Sequence, residues 1–307
     1  MNENQALEKL FEGVVPERFR EVLDLVEKHS AQFRRIGDRS GFNLDAGAYG
    51  VIQFTQRSLA QMWIFGFACL DSLHCYSAVI ELAWRYSLKF DLNVIEVLSE
   101  QKEKYDCFSR IIKSIEQLNN AESENDFDWP AVIPQPEEGK PENMEQAAVF
   151  DLVLMAGAYV FLHELKHVIF QSEGNAPEDP HEEEMACDFF ASHMMLSKVD
   201  DYSITSGYPA DKVRMKRSAG IALGNVFLAV VTPKHNLGGT ITHPPIHQRW
   251  SVTLGEIDLE ESDNYWLFFA SLAIALIKYK EIDFPPQLVT SYKQLAISLI
   301  EALEKGI

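Results

Sequence analysis

The stretch VFDLVLMAGAYVFLHELKHVIF, residues 149–170, decides the reading of this 307-residue chain. Its first fourteen residues hold no proline and only one charge, Asp151. A helix that is apolar on every face belongs inside a core. The ionisable side chains then arrive together at its end, as His163-Glu164-Leu165-Lys166-His167. Downstream, residues 182–196, 213–231, 264–279 and 287–303 read as further helices, and upstream 58–90 and 94–118 do so as well. Residues 16–36 carry apolar positions at helical spacing among charges, which predicts an amphipathic surface helix over that whole span. Only residues 41–55, GFNLDAGAYGVIQFT, change to a Gly, β-branched and aromatic composition, which predicts two short strands, or one strand and a turn. The expected fold is mostly α with a small β-hairpin or sheet. Its core would be zincin-like, an HExxH helix and a downstream helix bearing Glu184.

Between the helices, residues 119–146 hold four prolines, eight acids and one Lys. They read as an acidic, Pro-rich surface loop inserted in one domain over 1–307, with the chemistry carried by 147–250. A single core is favoured because the helices on both sides are too apolar to stay apart.

Composition narrows the function. The formal net charge is −19, with 27 Lys and Arg against 46 Asp and Glu. A broad basic face for phosphate backbones is therefore not expected, and no nucleic-acid partner is predicted. Four Cys without a CxxC pair argue against a disulfide framework and fit a reducing cytoplasm. The N-terminus lacks a basic segment followed by an apolar one, so no cleaved secretory signal is expected. The longest apolar runs, 152–162, 221–231 and 266–277, are shorter than the ~20 residues that a bilayer requires, so no membrane association is predicted.

His163 and His167 are four residues apart and so share one helical face, which suits a single zinc ion (Zn2+). Glu164 sits about 100° further round, beside the metal, where it can take a proton from an attacking water. Such a zinc needs a third protein ligand. Glu184 is the candidate, because Gly174, Pro177 and Pro180 let the chain turn back, while Asp188, one turn on, would accept the free N–H of a ligand histidine. Glu182 and Glu183 read as a charged helix start. Further on, THPPIHQR, residues 242–249, offers His243 as a donor to the developing oxyanion and Arg249 as a clamp for the site's carboxylates. The strand-like segment 41–55 is expected within about 10 Å of His163, as an edge for an extended substrate.

The sequence resembles the Lit family of phage-exclusion peptidases. The likeness runs from about residue 41 to 250 and is carried by Gly41-Phe42-Asn43, residues 63–67, Leu162-His163-Glu164 through His167, Glu184 with Asp188, residues 218–224, and Thr242-His243-Pro244 with Arg249. It implies a cytoplasmic zinc endopeptidase, latent until phage infection, that cuts elongation factor Tu when that factor meets a phage capsid peptide. Carried over residue by residue, the ligands fall on His163, His167 and Glu184, and the base on Glu164. Two positions depart from the family's pattern. Lys166 brings a charge into HExxH and is expected to pair with the acidic second helix; Cys187 replaces the usual Ala and is expected to be a small buried hydrophobe.

Two other readings compete. A helical binding or sensor protein would have a structural or vestigial metal site, closed by His181, His243 or Cys187. A metallopeptidase with another protein substrate would share every motif, because specificity lies in clefts and loops that spacing does not reveal.

Overall fold

The computed structural model describes residues 2–95, 97–123 and 126–306. Twelve helices dominate the described residues: α1 (Glu3–Val14), α2 (Phe19–Lys28), α3 (Gln56–Arg85), α4 (Leu92–Ile95), α5 (Ser99–Asn120), α6 (Met144–Glu173), α7 (Pro180–Leu196), α8 (Val199–Ser206), α9 (Ala210–Val231), α10 (Ile246–Gly255), α11 (Asn264–Tyr279) and α12 (Tyr292–Lys305). A small sheet has strand order β1-β3-β2, with β1 (Gln32–Arg35) parallel and β2 (Leu44–Ala46) antiparallel to β3 (Val51–Phe54). Two two-residue strands, β4 (Lys89–Phe90) and β5 (Gln287–Leu288), pair elsewhere.

The decisive stretch lies inside α6, which starts earlier than its apolar run. Asn143 caps it by accepting from the N–H groups of Glu145 and Gln146, and Gly174 in the left-handed conformation ends it. α6 packs against α3, α7 and α9. Close approach depends on missing side chains: a Cβ on Gly66 of α3 would collide with Val153, and one on Gly220 of α9 with the Cβ of Met155. The sheet lies on α6 as well, with Phe33 and Phe54 placing their rings edge-on to Phe161.

Two expectations are corrected, and a third, the two short strands of residues 41–55, is met. Residues 16–36 are not one helix, because a 3₁₀ turn, Pro16–Arg18, precedes α2 and Ser30 at φ +53° ends that helical path, after which Gln32–Arg35 pair as β1. Residues 41–55 form two strands, with Tyr49 at φ +60° in the turn between them. Apolar run length understates the helices: α3 and α6, 30 residues each, are long and apolar enough to cross a bilayer. In each, however, 61% of the apolar window is buried within the molecule, so both serve as core helices. Residues 127–143 are irregular apart from a short turn at Pro136–Glu138. They are fastened by buried Ile133 and by the indole N–H groups of Trp63, to the Pro134 carbonyl, and Trp129, to that of Ile133.

Candidate metal centre

α6 places the rings of His163 and His167 one turn apart, with 3.3 Å between their Nε2 atoms. The chain then turns back at Gly174. α7, opened by Asp179 as N-cap and Pro180 in the first turn, brings Glu184 across. Its carboxylate oxygens lie 3.4 Å from His163 Nε2 and 3.4 Å from His167 Nε2. Four ligands at about 2.0–2.1 Å around a tetrahedral zinc stand roughly 3.3–3.4 Å from one another. The two histidines stand at that spacing from each other, and each stands at it from one oxygen of Glu184, Oε2 for His163 and Oε1 for His167.

The far side of each ring explains why Nε2 faces inward. His163 Nδ1 is 2.9 Å from Asp188 Oδ1, and His167 Nδ1 is 2.7 Å from Glu183 Oε1. An Nδ1–H donated to a carboxylate leaves the Nε2 lone pair free for a ligand. Asp188 is fully buried and also accepts from the Tyr159 hydroxyl at 2.9 Å. Arg249 closes this network from α10, donating Nε and Nη2 to Asp188 at 2.7 and 2.8 Å, with Nη1 3.4 Å from Glu184. A bidentate guanidinium of this kind fixes both the position and the ionisation of its carboxylate. Burial alone would raise Glu184 and Asp188, yet the histidines and Arg249 hold both well below the usual carboxylate range. Burial works against a charged His163 ring, but Asp188 and Glu184 outweigh it and push the ring up to about 10. His167 is raised too, against burial, chiefly by its hydrogen bond to Glu184. Both rings are thus prepared to carry positive charge in this acidic pocket, and a divalent cation meets the same electrostatic demand.

Glu164 faces a different environment. Its Oε2 accepts a 2.7 Å hydrogen bond from the Ala46 N–H of β2, and burial raises its pKa. β2 is one of the sheet's two edge strands. Gly47 N–H to Val51 O and Thr55 N–H to Asn43 O put the odd-numbered residues of this strand on β3, so the backbone groups of Leu44 and Ala46 face outward. A cavity of about 540 Å³ opens there, lined by β2, by His163, Glu164, His167 and Glu184, by the end of α9 and by the loop before α10.

That loop carries His243, half exposed at the mouth, with Nε2 3.8 Å from Glu184 Oε1 and Nδ1 hydrogen-bonded to Thr242. Gly239 at φ +94° shapes it, since a Cβ there would press on Pro245 and on the His243 carbonyl. His181 ties the loop to α7 through the Thr240 carbonyl at 2.8 Å. Arg249 lies behind the carboxylates, as a clamp.

Several side chains sit otherwise than the sequence predicts. Glu183 is no mere helix-start charge, because the crossing of α7 over α6 brings it to His167. Lys166 does not pair with α7's acids; its ammonium lies 3.9 Å from the centre of the Phe170 ring. Cys187 is fully buried, as expected of a small hydrophobe, but its Sγ and the ring nitrogens of His163 and His167 all lie within 4.8 Å of one another. Burial, with Glu184 and Asp188 next in weight, pushes the thiol far up and disfavours the thiolate that a metal needs. Tyr159 was missed by sequence reasoning although it precedes His163 by four residues, the same spacing that pairs the histidines.

Fold and cluster together define a mostly helical protein in which two histidines and a glutamate meet across two helices, with Asp188 and Glu183 behind the rings. One family's sequence model, Peptidase U49, matches residues 52–269, from β3 into α11 and across every residue of the cluster. The chain belongs to the Peptidase U49 family, of which Lit is a member, and is accordingly a peptidase. No curated protein and no solved structure matches it.

Proposed function

We propose that the chain is a zinc-dependent endopeptidase with a zincin-like core, held in the cytoplasm. The observation that carries this reading is the convergence of His163 Nε2 and His167 Nε2, 3.3 Å apart, on the two oxygens of Glu184, with Oε2 3.4 Å from His163 and Oε1 3.4 Å from His167. His163, His167 and Glu184 would hold the ion. Bound there, zinc supplies Lewis acidity, making a water more acidic and polarising the scissile carbonyl. Glu164 takes the proton of the attacking water and returns it to the amine that leaves. His243 donates to the oxyanion that develops on the carbonyl oxygen. Asp188, Arg249 and Glu183 hold the ligands in place. The outward N–H and C=O of Leu44, with the Ala46 C=O, pair with an extended peptide at the edge of β2.

The resemblance to Lit makes elongation factor Tu the proposed substrate, a phage capsid peptide the proposed activator and abortive infection the proposed outcome. The test is metal analysis of the purified chain, followed by incubation of wild type and Glu164→Gln with a bacterial lysate and mass spectrometry of the fragments. Zinc near one per chain, with cleavage by wild type alone, supports the peptidase. Cleavage of another protein instead of elongation factor Tu replaces the substrate and leaves the chemistry standing.

The second reading is a structural site in a binding or sensor protein, and the observation favouring it is Cys187 beside both histidines. A closed His-His-Glu-Cys site would lose zinc in Cys187→Ala; an open site keeps it.

A further inference from the structure

A second cavity, of about 680 Å³, opens on the other side of α6 and shares no residue with the cleft. It lies between α1, the first half of α6, α8 and the start of α9. Leu154 on its wall is nine positions before His163, which puts the two on opposite faces of the helix. Its volume falls within the range of small-molecule pockets, about 300–1,000 Å³. Leu10, Val14, Leu154, Met155 and Val213 supply apolar walls.

Charge distinguishes this cavity from the rest of the molecule. Its lining holds four cationic side chains, Lys9, Lys212, Lys216 and Arg217, against one carboxylate, Asp151, whereas the whole chain has 27 basic and 46 acidic residues. Arg217 is neutralised by Glu17, at 2.5 and 2.9 Å. Lys216 shares Asp151 with Lys140, two cations on one carboxylate. Lys212 reaches only its exposed neighbour Asp211, at 3.5 Å, and among the described residues Lys9 has no ionic partner. A surplus of positive charge therefore stands at the rim of an apolar hollow, on a chain whose net charge is strongly negative. Gly13 on α1 also lines the cavity, and a Cβ there would meet nothing within 4 Å. Space is open at that point.

We propose that this cavity binds a single-chain amphiphile with an anionic head. The apolar tail lies on Leu10, Leu154, Met155 and Val213, and the head sits among Lys9, Lys212 and Lys216. An apolar hollow alone would accept any hydrophobic tail; the cationic rim selects the anion. This site is separate from the peptidase cleft and does not depend on the reading given there.

The test is calorimetric titration of the full chain with monomeric dodecanoate, and with dodecyltrimethylammonium as a chain of equal length and opposite charge. One site per chain for dodecanoate and weaker binding of the cation are expected. The double variant Lys9→Glu/Lys212→Glu, both exposed positions, should weaken dodecanoate by about tenfold or more. Gly13→Phe, which fills the hollow from an exposed helix position, should abolish binding while circular dichroism stays unchanged. Equal binding of both amphiphiles, unchanged binding by the lysine variant, or no binding by wild type overturns the proposal. So does sedimentation with phosphatidylglycerol vesicles without uptake of monomeric dodecanoate, which would make the rim a membrane contact.

Discussion

Glu164 and Glu184 are carboxylates on neighbouring helices with opposite electrostatic treatment. Glu184, against two histidines and Arg249, is held far down, while Glu164, answered by one backbone N–H, is raised by its burial. A raised carboxylate holds a transferred proton better, which is what a general base requires. Glu164→Gln keeps the neutral shape and removes the base; zinc content should be unchanged and turnover should fall about 10²- to 10⁴-fold. Loss of zinc in that variant would make Glu164 a ligand. Glu183→Gln weakens the acceptor on His167 and should cost about 10- to 100-fold in zinc affinity, with Glu182→Gln as the neutral control, both read by chelator competition. The helical period made the grouping of these side chains readable from sequence, since His163/His167 and Glu184/Asp188 are each four apart. Glu183 was not readable, because its partner is fixed by how α7 crosses α6. Lys166 departs from its expected pairing with the acids of α7 because Phe170, one turn on along its own helix, offers a nearer ring.

At the scale of elements, the three-stranded sheet is small, yet it supplies what α6 cannot, an outward-facing row of backbone groups beside the cluster. The change of composition at residues 41–55 announced strands, but the order did not follow from it. Within the segment expected to offer an edge, Val51 and Gln53 lie on β3, paired on both sides, and β2 is the edge beside the cleft. β1 was hidden because QFRR continues the charged, amphipathic spacing of α2, and only the break at Ser30 and the packing of Phe33 on Phe11 and Phe161 turn it into a strand. Two proline substitutions separate edge from centre. Ala46→Pro removes the N–H that holds Glu164 and should reduce turnover at least tenfold, with a nearly unchanged melting temperature. Gln53→Pro deletes a central ladder bond and should destabilise the fold by about 1–3 kcal/mol, read by urea denaturation. Full activity in a folded Ala46→Pro variant would remove the sheet from the mechanism.

On the scale of the whole molecule, the cluster sits where α6 and α7 cross, so an ion held there would add a cross-link between helices that already meet through Asp188 and Glu183. Ligand binding to the folded state alone stabilises it by about 2.7 kcal/mol at a free concentration one hundred times the dissociation constant. Calorimetry with excess zinc and with a chelator should therefore give two melting temperatures, zinc the higher, and the gap should close in His163→Ala. The pH dependence has a definite sign. In the chelated protein the raised histidines give stability that is fully present below the unfolded value near 6.5 and is lost as pH rises toward about 10 for His163. Zinc competes with those same protons, so its binding strengthens as pH rises. The melting gap between zinc and chelator should accordingly widen from pH 6 to pH 8. Aligned melting curves at both pH values would show that the three side chains, whatever their spacing, do not hold a metal.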